Sequence, residues 1–264
     1  MEESFTGKTA VITGGSKGIG LAVATAFAER GASVVVGART VTDELAALRD
    51  KYGVVAVPTD LSTADGPATL VSTAVETYGG VDVLVNNVGA SEPAPSVIDF
   101  TDEAWQRVLD ITLFSAVRAT RAAVPAMKGR DNASIVTISS LNAKLPAGFI
   151  VPYSAAKAAL TNYAKAVSEE YASQGIRANV VSPGVVRTPL WTAPGGFAEI
   201  IGAQSGASPD EVMDRVMPET MAVATGRVSE PEEVADLVVF LASDRARNIT
   251  GADFVIDGGT LKSV

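Results

Sequence analysis

Seven short, β-branched and apolar runs punctuate the chain, at residues 9–13, 33–37, 54–58, 81–86, 134–139, 177–181 and 253–256. Runs this short and this continuous belong to strands buried on both faces, as in a parallel sheet. Between them lie longer amphipathic stretches with helical spacing, at 18–30, 42–52, 64–78, 102–127, 153–174 and 230–242. Strand and helix alternate throughout, so right-handed crossovers predict a doubly wound α/β sheet of about seven mostly parallel strands, with helices on both faces. One segment breaks the rhythm. Residues 187–221 follow a strand but carry Pro189, Pro194, Gly195, Gly196, Pro209 and Pro218 among apolar side chains such as Trp191, Phe197 and Ile200. That is too long for an ordinary connection. It reads as a substrate-binding loop or lid, or as an insertion packed over the core.

Length and composition narrow the class. A chain of 264 residues fits one α/β domain over 1–264, and 47% hydrophobic with 19% charged residues is the profile of a globular enzyme. The formal net charge of −9 lacks the electrostatic footprint that a nucleic-acid partner requires. The absence of cysteine and of histidine removes disulfides, thiolate metal sites and the commonest general base, so no metal is expected and any catalysis falls to Tyr, Lys, Ser, Asp or Glu. No basic leader precedes an apolar stretch at the N-terminus, and no run of about 18 apolar residues occurs. The expectation is a cytoplasmic protein with no membrane partner.

Chemistry enters at two places. The first strand runs into Thr13-Gly14-Gly15-Ser16-Lys17-Gly18-Ile19-Gly20 and then an apolar helix, a strand-to-helix turn whose glycines let backbone approach a pyrophosphate at a helix N-terminus. The spacing departs from Gly-x-Gly-x-x-Gly, so position in the fold carries the reading. After the second strand, where an NAD site would offer a carboxylate to the ribose, the chain reads Gly37-Ala38-Arg39-Thr40. Arg39, joined by Lys17, suits a 2′-phosphate, and NADP is expected over NAD. The second place is Tyr153-Ser154-Ala155-Ala156-Lys157. It sets a phenol and an ammonium one helical turn apart, where the cation would favour the phenolate and make the pair a proton donor with its own activator.

Taken together, these residues closely resemble the short-chain dehydrogenase/reductase family in its short single-domain branch, over nearly the whole chain. The resemblance rests on Thr13-Gly14-x-x-x-Gly18-x-Gly20, Asn86-Asn87-Val88-Gly89, Ser139-Ser140, Tyr153-x-x-x-Lys157, Ser182-Pro183-Gly184 and Asp257-Gly258-Gly259. It implies a Rossmann-like fold in which Ser140 holds a substrate carbonyl oxygen, Tyr153 protonates that oxygen, and Lys157 binds the nicotinamide ribose and lowers the phenol's pKa. It further implies a cofactor site of Gly14, Ser16, Lys17, Gly18, Ile19, Gly20, Arg39, Asp60, Leu61, Asn87, Gly89, Tyr153, Lys157, Pro183, Gly184, Val186 and Thr188. Asn87 also has an architectural reading, as a tie between strands. One departure stands out. Where the family usually has an Asn that holds a water of the proton relay, this chain has Thr112, which is shorter and lacks the amide.

The resemblance thus implies hydride transfer between NADP(H) and the carbonyl or secondary alcohol of a small organic substrate. Enoyl reductases of the family space their Tyr and Lys more widely than the four positions here, and nucleotide-sugar epimerases carry a longer C-terminal region. The alternative is an NADP-binding regulatory or scaffold protein of the same fold with weakened catalysis, a reading that Thr112 keeps open. Relatives form dimers and tetramers through the helices at 102–127 and 153–174, which makes a homotetramer, or a homodimer, the expected assembly.

Overall fold

The computed structural model describes residues 3–262. Seven strands form one sheet: β1 (Thr9–Thr13), β2 (Ser33–Ala38), β3 (Val55–Pro58), β4 (Val83–Asn86), β5 (Ala133–Ile138), β6 (Ile176–Pro183) and β7 (Asp253–Ile256). Their order is β3-β2-β1-β4-β5-β6-β7, and every pairing is parallel, where the sequence predicts a mostly parallel sheet. The order reverses between β1 and β4, which opens a crevice beyond their carboxyl ends.

Successive side chains of a strand point to opposite faces, and both faces here are covered, which is why the runs are apolar throughout. Ile12, Val34, Val36 and Val85 pack with Phe27, under α1 (Gly18–Glu29), α2 (Asp43–Tyr52) and the late helix α11 (Pro231–Ala242). Their neighbours Val11, Val35 and Leu84 face the other way, against α3 (Gly66–Tyr78), α5 (Ser115–Met127) and α6 (Val151–Tyr171). Burying each such aliphatic side chain contributes about 1.5–3 kcal/mol, so the two layers hold the crevice rigidly.

Three elements differ from the sequence expectation. The helix expected over 102–127 is α4 (Asp102–Leu109) and α5 (Ser115–Met127), joined by a wide π-type turn, Asp110–Phe114. α6 starts at Val151, ahead of Tyr153, with Pro152 in its first turn. The lid is largely helical: α7 (Pro189–Thr192), α8 (Phe197–Ser205), α9 (Pro209–Glu211) and α10 (Met217–Thr220) precede α11 (Pro231–Ala242). It has a small core of its own, in which Val212, Met213 and Met217 meet Ala198 and Val228. Pro189 and Pro209 open α7 and α9, where a missing N–H leaves no hydrogen bond unmade, Pro218 lies in the first turn of α10, and Pro194 sits in the turn between α7 and α8.

Candidate active site

The glycine-rich turn sits at the crevice. Gly14 and Gly18 have φ of 72° and 56°, a region that other residues enter with strain. α1 then starts with no side-chain cap, so its first N–H groups are left for a ligand. Behind the turn, Asn87 donates from Nδ2 to the carbonyls of Thr13 (2.9 Å) and Gly14 (3.0 Å), and Thr13 Oγ1 accepts from the backbone N–H of Asn87 and Val88. Asn87 therefore has the architectural place expected of it, stitching β4 to the turn. A Cβ on Gly20 would collide with the Gly14 carbonyl oxygen and stand 2.5 Å from Asn87 Nδ2. Gly20→Ala is expected to destabilise the fold by about 1–3 kcal/mol and to weaken nucleotide binding together with it, read by denaturant melts and dinucleotide titration.

A cleft of about 640 Å³ gathers every residue that the sequence nominates for the cofactor, together with Ser140. Lys17 and Arg39 are exposed in its wall and make no salt bridge among the described residues. Asp60 accepts from the N–H and hydroxyl of Ser62, which hold its carboxyl below the usual range. Open glycine backbone, a free helix start and two unpaired cations fit a phosphorylated dinucleotide.

Ser140 follows β5 and is nearly buried. Its hydroxyl donates to Asn142 Oδ1 (3.3 Å) and accepts from Asn142 N–H (3.1 Å), while Asn142 Nδ2 is tied to the Leu145 carbonyl. Ser139 turns instead toward α6, bonded to Thr161 Oγ1 at 2.6 Å, as befits a neighbour. Lys157 is 2% exposed and donates from Nζ to the Ile138 carbonyl at 2.7 Å, with Nζ 5.5 Å from the Tyr153 ring centroid. Burial brings its pKa down to about 7. Burial likewise pushes the Tyr153 phenol up, with the Ser140 hydroxyl pulling the other way. Burial thus outweighs the expected lowering of the phenol by Lys157, whose own charged form burial disfavours.

Thr112 alone among the nominated residues does not line the cleft. It is fully buried in the wide turn, and Oγ1 both donates to the Ala90 carbonyl and accepts from Ala90 N–H, each at 3.2 Å. Its one hydroxyl proton is committed there. Gly89 lies between this pair and Lys157: a Cβ on it would sit 3.2 Å from Lys157 Nζ and 3.6 Å from Thr112 Cγ2. From the same turn, Asp110 pairs with Arg118 (2.9 Å), whose guanidinium reaches the Ser62 carbonyl at 2.7 Å and lies 5.4 Å from the Phe114 ring centroid.

Beyond Tyr153 the cleft is walled by Leu141, Trp191, Phe197 and Met221, with Asn142 and a Glu92–Arg107 pair. The sequence did not single out Glu92, Arg107 or Asn142. A polar residue two places after a serine at a strand end is a turn signal that pointed to Asn142, whereas nothing local marked the Glu92–Arg107 pair, fifteen residues apart. Among the described residues there is no cluster of metal-ligating side chains and no helix long and apolar enough to cross a membrane.

A seven-stranded Rossmann-like sheet with a dinucleotide cradle leading to a Ser, Tyr and Lys cluster defines an NAD(P)-dependent oxidoreductase of CH–OH groups. A family model described as enoyl-(acyl carrier protein) reductase matches residues 14–260. The chain is 36% identical over 262 residues to cis-4-hydroxycyclohexanecarboxylate dehydrogenase of Sinomonas cyclohexanicum, covering 98% of each. It also resembles L-sorbose reductase from Gluconobacter frateurii complexed with NADPH and L-sorbose, at 34% identity with a TM-score of 0.89 over 100% of both chains. An NADPH-bound short-chain oxidoreductase of Pseudomonas aeruginosa with an atypical catalytic center superposes with a TM-score of 0.88 at 28% identity, over 99% of this chain and 100% of that one. The protein belongs to the short-chain dehydrogenase/reductase family.

Proposed function

We propose that this protein interconverts a ketone and a secondary alcohol with NADP(H) as the redox partner. The observation that carries the reading is the convergence of Ser140, Tyr153 and Lys157 in one cleft with the unpaired cations Lys17 and Arg39. When bound, the nicotinamide supplies or accepts the hydride. The cradle residues from Gly14 to Gly20 would hold the pyrophosphate of the dinucleotide, Asp60 and Leu61 its adenine, and Pro183, Gly184, Val186 and Thr188 the carboxamide side of its nicotinamide. Ser140 turns its hydroxyl from Asn142 to the substrate oxygen. Tyr153, kept protonated by its raised pKa, gives that oxygen a proton during reduction. Lys157 takes the ribose hydroxyls and, as an ammonium, stabilises the phenolate left behind.

Turnover of NADPH with a panel of ketones, followed by nicotinamide absorbance, tests the reading, and binding without turnover would favour a regulatory role. Thr112, its proton committed to Ala90, is the observation behind that second reading. The four-residue spacing from Tyr153 to Lys157 supports carbonyl over enoyl chemistry. The cofactor preference rests on Arg39 and Lys17 and agrees with the NADPH in the Gluconobacter and Pseudomonas structures. Arg39→Asp is expected to raise the KM for NADPH about ten- to a hundredfold and to lower that for NADH, since charge-assisted bonds to a phosphate contribute about 1.5–3 kcal/mol. Unchanged selectivity would assign the 2′-phosphate elsewhere. Self-association through α4 to α6 belongs to the same proposal, and Ala155, Ala158 and Ala159 lie exposed along α6.

A further inference from the structure

The lid brings two aromatic side chains together by a device that plain packing does not require. The chain leaves α7 after Trp191, turns through Ala193-Pro194-Gly195-Gly196, and enters α8 at Phe197. Gly195 has φ of 75°, and its N–H is held by Glu199 Oε2. A Cβ on Gly196 would stand 2.5 Å from the Trp191 carbonyl oxygen and 2.8 Å from that of Ala193, so only glycine permits the return. The result sets the Trp191 and Phe197 rings 5.4 Å apart, both in the cleft wall. Phe149, at the foot of α6, stands edge-on to Phe197 at 6.5 Å, its carbonyl tied to Ala94 N–H. Trp191 packs in part on the lid's own core and, like Phe197, is half-buried, whereas Phe149 and Leu190 beside them are 50% and 54% exposed.

Most polar side chains of this end are already paired. Asn142 spends its amide on Leu145, and only its carbonyl is released when Ser140 turns to the substrate. Arg107 is forked onto Glu92 through two bonds, at 2.9 and 2.7 Å. Of the other cations in the cleft, Lys157 lies under Tyr153, and Lys17 and Arg39 stand at the nucleotide turn. No cation in the described wall is left for a substrate carboxylate, and few hydrogen-bonding groups are left for the hydroxyls of a sugar.

We infer that the substrate is a neutral ketone or secondary alcohol carried on an apolar ring, alicyclic or aryl, held against the paired Trp191 and Phe197 rings and Met221. The inference rests on the proposed carbonyl chemistry and names the substrate class for it. A ring laid on this aromatic pair removes apolar area of both partners from water, and each methylene it buries contributes about 0.8 kcal/mol. A carboxylate on that ring would enter beside Glu92 with no free cation to meet it.

Four substrates with NADPH test this: 4-phenylcyclohexanone, 4-oxocyclohexanecarboxylate, butanone and L-sorbose. The phenyl-substituted cyclohexanone is expected to exceed each of the others in kcat/KM by about tenfold or more. Trp191→Ala is expected to cut the ratio of 4-phenylcyclohexanone to butanone by about tenfold, mainly through KM, and the milder Phe197→Leu to shift it the same way. Equal or better turnover of the carboxylate, the sugar or butanone would overturn the inference while leaving the carbonyl reading intact. So would a ratio that neither variant moves. No turnover of any of the four would overturn the carbonyl reading, and this inference with it.

Discussion

Tyr153→Phe is expected to lower kcat for ketone reduction by about a hundredfold to ten-thousandfold, with NADPH affinity measured by fluorescence titration changed only a few-fold. The substitution keeps the ring and its place in the first turn of α6, and removes only the oxygen. No histidine exists to stand in as an acid, and Lys157 is held under the ring by the Ile138 carbonyl. Ser140 cannot substitute either, since an ordinary hydroxyl is far too weak an acid at neutral pH and its place is to hold the oxygen. A kcat within a few-fold of the parent would remove Tyr153 from the chemistry.

Lys157→Met is expected to move activity and stability in opposite directions. The buried amine titrates near 7, whereas an unfolded lysine does so at its ordinary value of 10.5. Between those values the unfolded chain binds more protons than the folded one, so stability rises with pH across the window, and below it the full penalty remains. At 1.36 kcal/mol per pKa unit the penalty is roughly 4 to 5 kcal/mol. The Ile138 carbonyl, left without its donor in the variant, takes back about 1–3 kcal/mol. Tyr153, whose pKa is raised, acts in the opposite sense only above its ordinary value of 10.0. The variant should therefore melt at a higher temperature at pH 7 and below, lose most of the rise in stability between pH 7 and 10, and turn over about a hundredfold more slowly. An unaltered pH slope would mean that Lys157 carries no burial penalty.

Much of this molecule could be read from its residues. Val11 and Ile12, or Val34 and Val35, occupy opposite faces of a covered sheet, so all are apolar and their runs marked the strands. Backbone-level signals in the glycine turn and the Tyr153 and Lys157 spacing likewise placed the cleft, and the cleft holds each nominated residue except Thr112. What escaped depends on contacts distant in sequence. The wide turn at Asp110–Phe114 interrupts a stretch whose apolar periodicity continues across it, so one helix was expected where there are two. Pro189, Pro209 and Pro218 looked like coil, although each lies in the first turn of a short helix that only the small lid core around Met213 makes stable. Charge was the least legible part. Spacing alone set Lys157 beside Tyr153, but the pKa of each depends on burial, which no local pattern records.

Arg118 gives the cleft a mechanical property that neither of its ends has alone. It grips the carboxylate of the wide turn with one arm and the Ser62 carbonyl, beside the proposed adenine pocket, with the other. That same turn, through Thr112, props the Ala90 strap next to the buried amine. A single guanidinium thus acts as a crossbeam between two walls nearly fifty positions apart in the chain, Ser62 and Asp110, and fastens the loop after β3 to the turn that carries Thr112.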